Sequence, residues 1–141
     1  MSGWIGVDLD GVIALWGDGH NTNVFDIGPP VPAMIARVKA MLAEGKDVRI
    51  FTARVAPDAS GDPEALKQSE AFVSGQRAII EAWCFEHLGR TLPITCVKDF
   101  RMETCYDDRA VQMVPNTGLT ILEHALQPRD YGFDPRHGDH L

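Results

Sequence analysis

Two aspartates stand at i and i+2 directly behind a short apolar run, where Trp4-Ile5-Gly6-Val7 gives way to Asp8-Leu9-Asp10-Gly11. The same change of character recurs along the chain. Asp47-Val48-Arg49-Ile50-Phe51 ends at Thr52-Ala53-Arg54, Leu92-Pro93-Ile94-Thr95-Cys96-Val97 ends at Lys98, and Thr104-Cys105-Tyr106 ends at Asp107-Asp108. Brought together, Asp8, Asp10, Asp107 and Asp108 would carry a formal charge of −4, which is costly unless a cation or protons offset it. Oxygen ligands with no His or Cys beside them in sequence favour Mg2+ over zinc. Magnesium takes one or two carboxylates together with waters and a substrate phosphate. With that ion, Lys98 and Arg54 the formal charge is balanced, and a phosphate dianion can be held.

Phosphoryl transfer needs a positioned nucleophile and cations against the equatorial oxygens. An Asp carboxylate can attack phosphorus and form an acyl phosphate that water then opens. The i, i+2 spacing of Asp8 and Asp10 aims both side chains to one side of an extended segment, so one can attack while the other handles the proton of the leaving group. Gly11 permits the sharp exit of the chain that follows.

The elements that would position these residues alternate. Residues 4–7 read as a strand buried on both faces. Residues 13–30, rich in Gly, Pro, Asn and Asp, read as a long loop or tight hairpin able to overhang a site. Apolar positions 31, 34, 35, 38, 41 and 42, with Pro32 at the start and Gly45 at the end, predict a helix. A strand at 47–51 follows, then a loop over 56–63, and a helix from Asp62-Pro63-Glu64 to about Gly89 whose inner face is Phe72, Gln76, Ile79, Ile80 and Trp83. Strands follow at 92–97, 104–106 and 111–114, and 119–126 is read as a helix. The class is α/β: a three-layer α/β/α sandwich on a mainly parallel, Rossmann-like sheet, in which ligands bind beyond the carboxyl ends of the strands. All four polar clusters belong at those ends.

Asp8-Leu9-Asp10-Gly11-Val12, Thr52, Lys98 and Asp107-Asp108, in that order and each behind a strand, resemble the four motifs of the haloacid dehalogenase superfamily over roughly the first 110 residues. An Asp at the place of Asp10 marks the phosphate-transferring members, so the resemblance implies a phosphoric monoester hydrolase. It makes Asp8 the nucleophile and a magnesium ligand. Asp10 becomes the general acid and base, and a metal ligand through its carbonyl. Thr52 and Lys98 would hold phosphoryl oxygens, Asp107 and Asp108 would bind or support the metal, and Arg54, outside the core motifs, is a candidate substrate contact. The gaps 13–30 and 55–97 leave no room for a large cap, so the resemblance is to capless members, with Trp16, His20, Phe25 and the 55–63 loop at the entrance or in plain surface packing. One catalytic domain is expected over 1–127 and a tail over 128–141.

Composition bounds the partners. The chain has 141 residues, 45% of them hydrophobic, which suits one domain with a single core, and its net charge of −7 disfavours generic nucleic-acid binding and anionic membranes. The expected partner is a phosphorylated small molecule or an exposed phosphate on a larger one, and a homo-oligomer is left open. Cys84, Cys96 and Cys105 lie in apolar runs and read as buried free thiols. No basic, apolar leader and no membrane-length run is present, so a cytoplasmic setting is expected. His137 and His140 read as solvated residues of the terminus and not as ligands. Two further readings remain: a polynucleotide 3′-phosphatase with a basic groove of Arg54, Arg77, Arg101 and Arg109, and a binding module, either inactive or a receiver-like phosphoacceptor. A receiver places its acceptor Asp behind a middle strand, where this chain has Thr52.

Overall fold

Trp4, Ile5, Gly6 and Val7 are all buried, as a strand flanked by neighbours on both sides must be. In the computed structural model, which describes residues 3–17 and 19–127, this strand β1 (Trp4–Val7) is followed by helix α1 (Pro32–Ala43), strand β2 (Val48–Phe51), a single 3-10 turn (Ala53–Val55), helix α2 (Pro63–Leu88), strands β3 (Ile94–Thr95) and β4 (Met102–Tyr106), and the short helix α3 (Ile121–Ala125). The strands form one sheet in the order β3-β2-β1-β4, with every pairing parallel. The protein is therefore α/β on a parallel, Rossmann-like sheet, as the alternation of elements predicts. None of the helices among the described residues is long and apolar enough to cross a membrane.

Register fixes which side chains share a face. Ile5 pairs with Val48 and Val7 with Ile50, and these four form one core with Met34, Val38 and Met41 of α1 and Ile80, Trp83, Cys84 and Leu88 of α2. Both long helices thus pack on the same face. The reason is topological: two right-handed crossovers that step the same way, β1 to β2 to β3, deliver their helices to one side. The other face carries Trp4, buried beneath Arg49 at 4.9 Å from its ring and bonded through Nε1 to Asp99 Oδ1 at 2.8 Å. The connection from β3 back to β4, residues 96–101, holds no helix. Of the three layers expected, Met1–Asp108 supplies two, because the crossover that would build the third is too short.

Local signals account for the helix ends. Asp62 accepts a hydrogen bond from the Glu64 N–H at 3.2 Å with Pro63 in the first turn of α2. The 13–30 segment is pinched at its base, where Leu15 N–H donates to the Pro29 carbonyl at 2.8 Å and Val31 N–H to that of Ile13 at 2.8 Å. It is a necked flap. Strands β3 and β4 differ from expectation at their ends, β3 being shorter than 92–97 and β4 starting at Met102.

The chain divides into two compact units, Met1–Asp108 and Arg109–Leu141, where a single domain to 127 was expected. The described part of the second unit turns back on itself: Val114 N–H donates to the Leu119 carbonyl at 2.9 Å and Ile121 N–H to that of Gln112 at 3.2 Å. No strand forms at 111–114, because Met113 makes one isolated bridge to Thr120 and no ladder. Helix α3 falls within the expected 119–126 and starts at a capping box of Thr120 and Glu123. The tail over 128–141, with His137 and His140, lies outside the described residues.

Candidate functional site

From β1 the chain winds outward through β2 and β3, then returns to place β4 on the opposite side of β1. The sheet therefore reverses its winding between β1 and β4, and crevices at such reversals, outside the carboxyl ends of the strands, are where open α/β sheets hold ligands. Asp8 follows β1 and Asp107-Asp108 follows β4. Val7 pairs with Tyr106, and Asp8 N–H continues the ladder to the Tyr106 carbonyl at 2.9 Å, so the acids leave the sheet side by side.

Carboxylate oxygens of Asp8, Asp107 and Asp108 lie within 4.8 Å of one another. Past Asp8 the backbone turns tightly, the Leu9 carbonyl accepting from the N–H groups of Val12, Ile13 and Ala14. Gly11 sits in this turn at φ +85°, and a Cβ there would lie 2.5 Å from Asp108 Oδ2. A glycine is required twice over, by its conformation and by the carboxylate seated against it. The Asp8 carboxyl is pushed up to about 7, chiefly by burial, with the charge of Asp107 and the hydrogen bond and charge of Asp108 adding to the rise and the Leu9 N–H opposing it. The cluster cannot carry three full charges cheaply, and its all-oxygen donor set fits a hard divalent cation.

Asp10 is not part of that cluster through its side chain. Its two oxygens receive Arg54 Nε at 2.7 Å and Nη2 at 2.8 Å in a bidentate pair. The same guanidinium donates through Nη1 to Gln76 Oε1 at 3.0 Å and to the Val24 carbonyl at 3.1 Å, and through Nη2 to the Asp26 carbonyl at 2.6 Å. An arginine has five N–H donors, and all five are engaged within the protein. Arg54 is thus a clamp between the Asp10 turn, the flap and α2; a direct contact with substrate requires it to release an acceptor.

Thr52 is buried, and its hydroxyl oxygen accepts from the Arg54 N–H at 3.2 Å, capping the 3-10 turn that presents Arg54. Lys98 is exposed and forms no ion pair among the described residues. Its charge is felt at Cys105, whose thiol is pushed up by burial, Asp107 and Asp8 while Lys98 pulls it down. So the structure gathers Asp8, Asp107 and Asp108, joins Asp10 to Arg54, sets Thr52 beneath that pair and leaves Lys98 at the margin. The cysteines differ from expectation: Cys84 is buried, Cys96 half-buried and Cys105 exposed. Cys105 pairs with Gly6 on the face that neither long helix covers.

Gln76 is the residue whose role the sequence conceals. Fully buried, it accepts from Arg54 and donates from Nε2 to the Val24 carbonyl at 2.8 Å. An amide on the inner face of an apolar helix was the available signal, because such a group must find partners when buried. Between the flap and α2 there is a cavity of about 330 Å³ that reaches Asp10 and Arg54.

No family model matches the sequence, and no curated protein matches it. Among solved structures the chain is similar to a conserved protein from Bacteroides thetaiotaomicron, with 18% sequence identity over 82% of this chain and 83% of the other at a TM-score of 0.47.

Proposed function

We propose that the protein is a magnesium-dependent phosphohydrolase that cleaves a phosphate monoester through an aspartyl phosphate on Asp8. The observation that carries this reading is the convergence of Asp8, Asp107 and Asp108 within 4.8 Å at the winding reversal of the sheet. Asp8, Asp107 and Asp108 are the residues that would hold the ion, with the Asp10 carbonyl as the further ligand implied by the family resemblance. When bound, the ion supplies the positive charge that lets a carboxylate and a phosphate dianion approach each other.

In this reaction the Asp8 carboxylate attacks phosphorus while the bond to the ester oxygen breaks, and Asp10, which must first free one oxygen from the Arg54 fork to carry a proton, delivers that proton to the departing alkoxide. Asp10, now a carboxylate, takes a proton from water, whose oxygen attacks phosphorus. Phosphate departs and the Asp8 carboxylate is restored. Thr52 and Lys98 are the candidate contacts to the phosphoryl oxygens. Arg54 fits a positioning role, since its fork holds the Asp10 carboxylate in place.

The polynucleotide reading gains nothing here. Arg54 is fully engaged and Arg77 donates to the Ile94 carbonyl at 3.0 Å, so two members of the imagined basic groove are tied to their own chain. The test is phosphate release from a panel of phosphate esters, including a chromogenic aryl phosphate and 3′-phosphorylated oligonucleotides, with magnesium and with chelator. Release should require magnesium and vanish in Asp8→Asn. Near wild-type turnover in a folded Asp8→Asn protein overturns the mechanism.

A further inference from the structure

The cavity beside Asp10 has a chemistry of its own. Its walls include Trp16 and Asn23 from the flap and Phe72 and Gln76 from α2, with Asp10 and Arg54 at one side. Its volume of about 330 Å³ is at the small end of ligand pockets. We propose that it receives a planar, uncharged aromatic group, a nucleoside or an aryl alcohol, as the leaving group of the ester cleaved at Asp8. This assignment of substrate class rests on the phosphohydrolase reading.

Position comes first. In that reaction the leaving oxygen must meet Asp10, so whatever is attached to the oxygen extends to the side on which Asp10 lies. That side holds this cavity. The apolar walls come second. Trp16 is 55% exposed although the other tryptophans, Trp4 and Trp83, are buried, so a large apolar ring is left in water where a partner could cover it. Phe72 is also exposed, with its ring set by contact with Phe25 at 5.4 Å between centroids. Two aromatic rings open to solvent in one small cavity suit a flat partner.

Charge decides against the alternatives. Among the described residues Arg54 is the one cation lining the cavity, and its five donors are taken by Asp10, Val24, Asp26 and Gln76. A second phosphate or a carboxylate on the leaving group would meet the Asp10 carboxylate with no unengaged cation on those walls to hold it. A polar neutral atom is better served. Asn23 uses its side-chain oxygen to accept from Phe25 N–H, and among the described residues its amide N–H groups have no acceptor and can serve one on a heterocycle.

Two measurements test this. In the first, saturation-transfer NMR on the metal-free full chain follows adenosine and phenol, with ribose and glycerol as controls. Transfer should be saturable for the aromatic probes alone, lost in Trp16→Ala and retained in Trp16→Phe; comparison of adenosine with phenol separates a nucleoside from a simple aryl group. Equal transfer to ribose and glycerol, or none to either aromatic probe, overturns the proposal. In the second, magnesium-dependent phosphate release is compared for adenosine monophosphate, phenyl phosphate, glycerol phosphate and a sugar bisphosphate. The aromatic esters should lead in kcat/KM, and Trp16→Ala should lower theirs about tenfold, as loss of one stacking partner does, while changing glycerol phosphate less than about twofold. A lead for the bisphosphate, or an equal fall for every ester, overturns the proposal. If no ester is hydrolysed, the phosphohydrolase reading fails and the binding experiment alone decides whether the cavity takes an aromatic ring.

Discussion

The raised Asp8 carboxyl makes the metal-free protein sensitive to pH in a direction opposite to ordinary acid denaturation. In the folded chain Asp8 keeps its proton up to about 7, against 3.8 for the unfolded value, so between those limits the native state binds more protons than the unfolded one. Stability must therefore fall as pH rises from about 4 to about 7. A tenfold difference in proton affinity is worth about 1.4 kcal/mol, giving an upper bound near ~4 kcal/mol for a fully buried group. Asp8 is half-buried, and solvent screening reduces this to about 1–2 kcal/mol. Roughly three fifths of that change falls between pH 5 and pH 8, which for a chain of this length is a loss of about 2–5 °C in Tm.

Magnesium should reverse the loss, because ion binding replaces the proton. At an ion concentration 100 times Kd the gain is about 2.7 kcal/mol, larger at pH 8 than at pH 5. The assay is thermal unfolding across that range in chelator and in magnesium, for the wild type and Asp8→Asn. Asparagine cannot ionise, so the variant should lose most of the pH slope, melt higher than the wild type in chelator at pH 8, and gain little from magnesium. The carboxyls held low, Asp47 by Arg49 and Asp99 by the Trp4 indole and the Arg101 N–H, contribute stability that is lost only as pH falls below the ordinary carboxylate range, outside this window. An unchanged slope in Asp8→Asn, or a magnesium effect equal at both pH values and in both proteins, would overturn this account of the cluster.

Gly11→Ala should destabilise by about 1–2 kcal/mol from its left-handed backbone alone and also weaken magnesium stabilisation by displacing Asp108; Gly45→Ala, at φ +81° with nothing within 4 Å, should cost similar stability and leave the magnesium effect intact. Retention of the full magnesium effect in Gly11→Ala would show that Asp108 does not hold the ion. Arg54→Lys should cost about 2–3 kcal/mol in urea unfolding, because a point charge cannot satisfy the acceptors of the fork and leaves polar groups without partners; a variant within about 0.5 kcal/mol of wild type, the scatter of surface substitutions, removes the clamp. In native alkylation read by mass spectrometry, Cys84 should react last, after the exposed Cys105, because burial pushes the Cys84 thiol up to about 12 and shuts out the reagent, whereas the rise at Cys105 is opposed by Lys98. Equal labelling of Cys84 in the folded protein contradicts the core packing.

What the sequence discloses and what it conceals divide along a physical line. Continuous apolar runs at 4–7 and 48–51, the Pro32 start of α1 and the Asp62 cap of α2 are local signals, and each element forms where those signals stand. The convergence of Asp8 with Asp107 and Asp108 was also legible, because parallel strands send their carboxyl ends to one edge. The absence of a helix after β3 was legible from length, since the expected strands at 92–97 and 104–106 leave a gap as short as the observed 96–101, too short for one. Arg54 was not legible at all. A guanidinium near a cluster of acids suggests a ligand contact by charge, whereas its five acceptors, three of them carbonyls or amides supplied by the flap and α2, are set by tertiary geometry that no spacing encodes.

That same clamp links the flap to the chemistry. Leu15 and Pro29 close the base of the 13–30 segment, while Arg54 and Gln76 hold the Val24 carbonyl near its tip. Because the fork that grips Val24 and Asp26 also grips Asp10, displacement of the flap cannot leave the Asp10 carboxylate where it is; the two share one rigid donor. A shift of the Val24 or Asp26 carbonyl therefore reaches Asp10 through a single side chain, over two hydrogen-bond lengths. Under the proposed reaction, a loop fastened by one arginine and one buried glutamine provides a physical route by which the leaving group can set the position of Asp10.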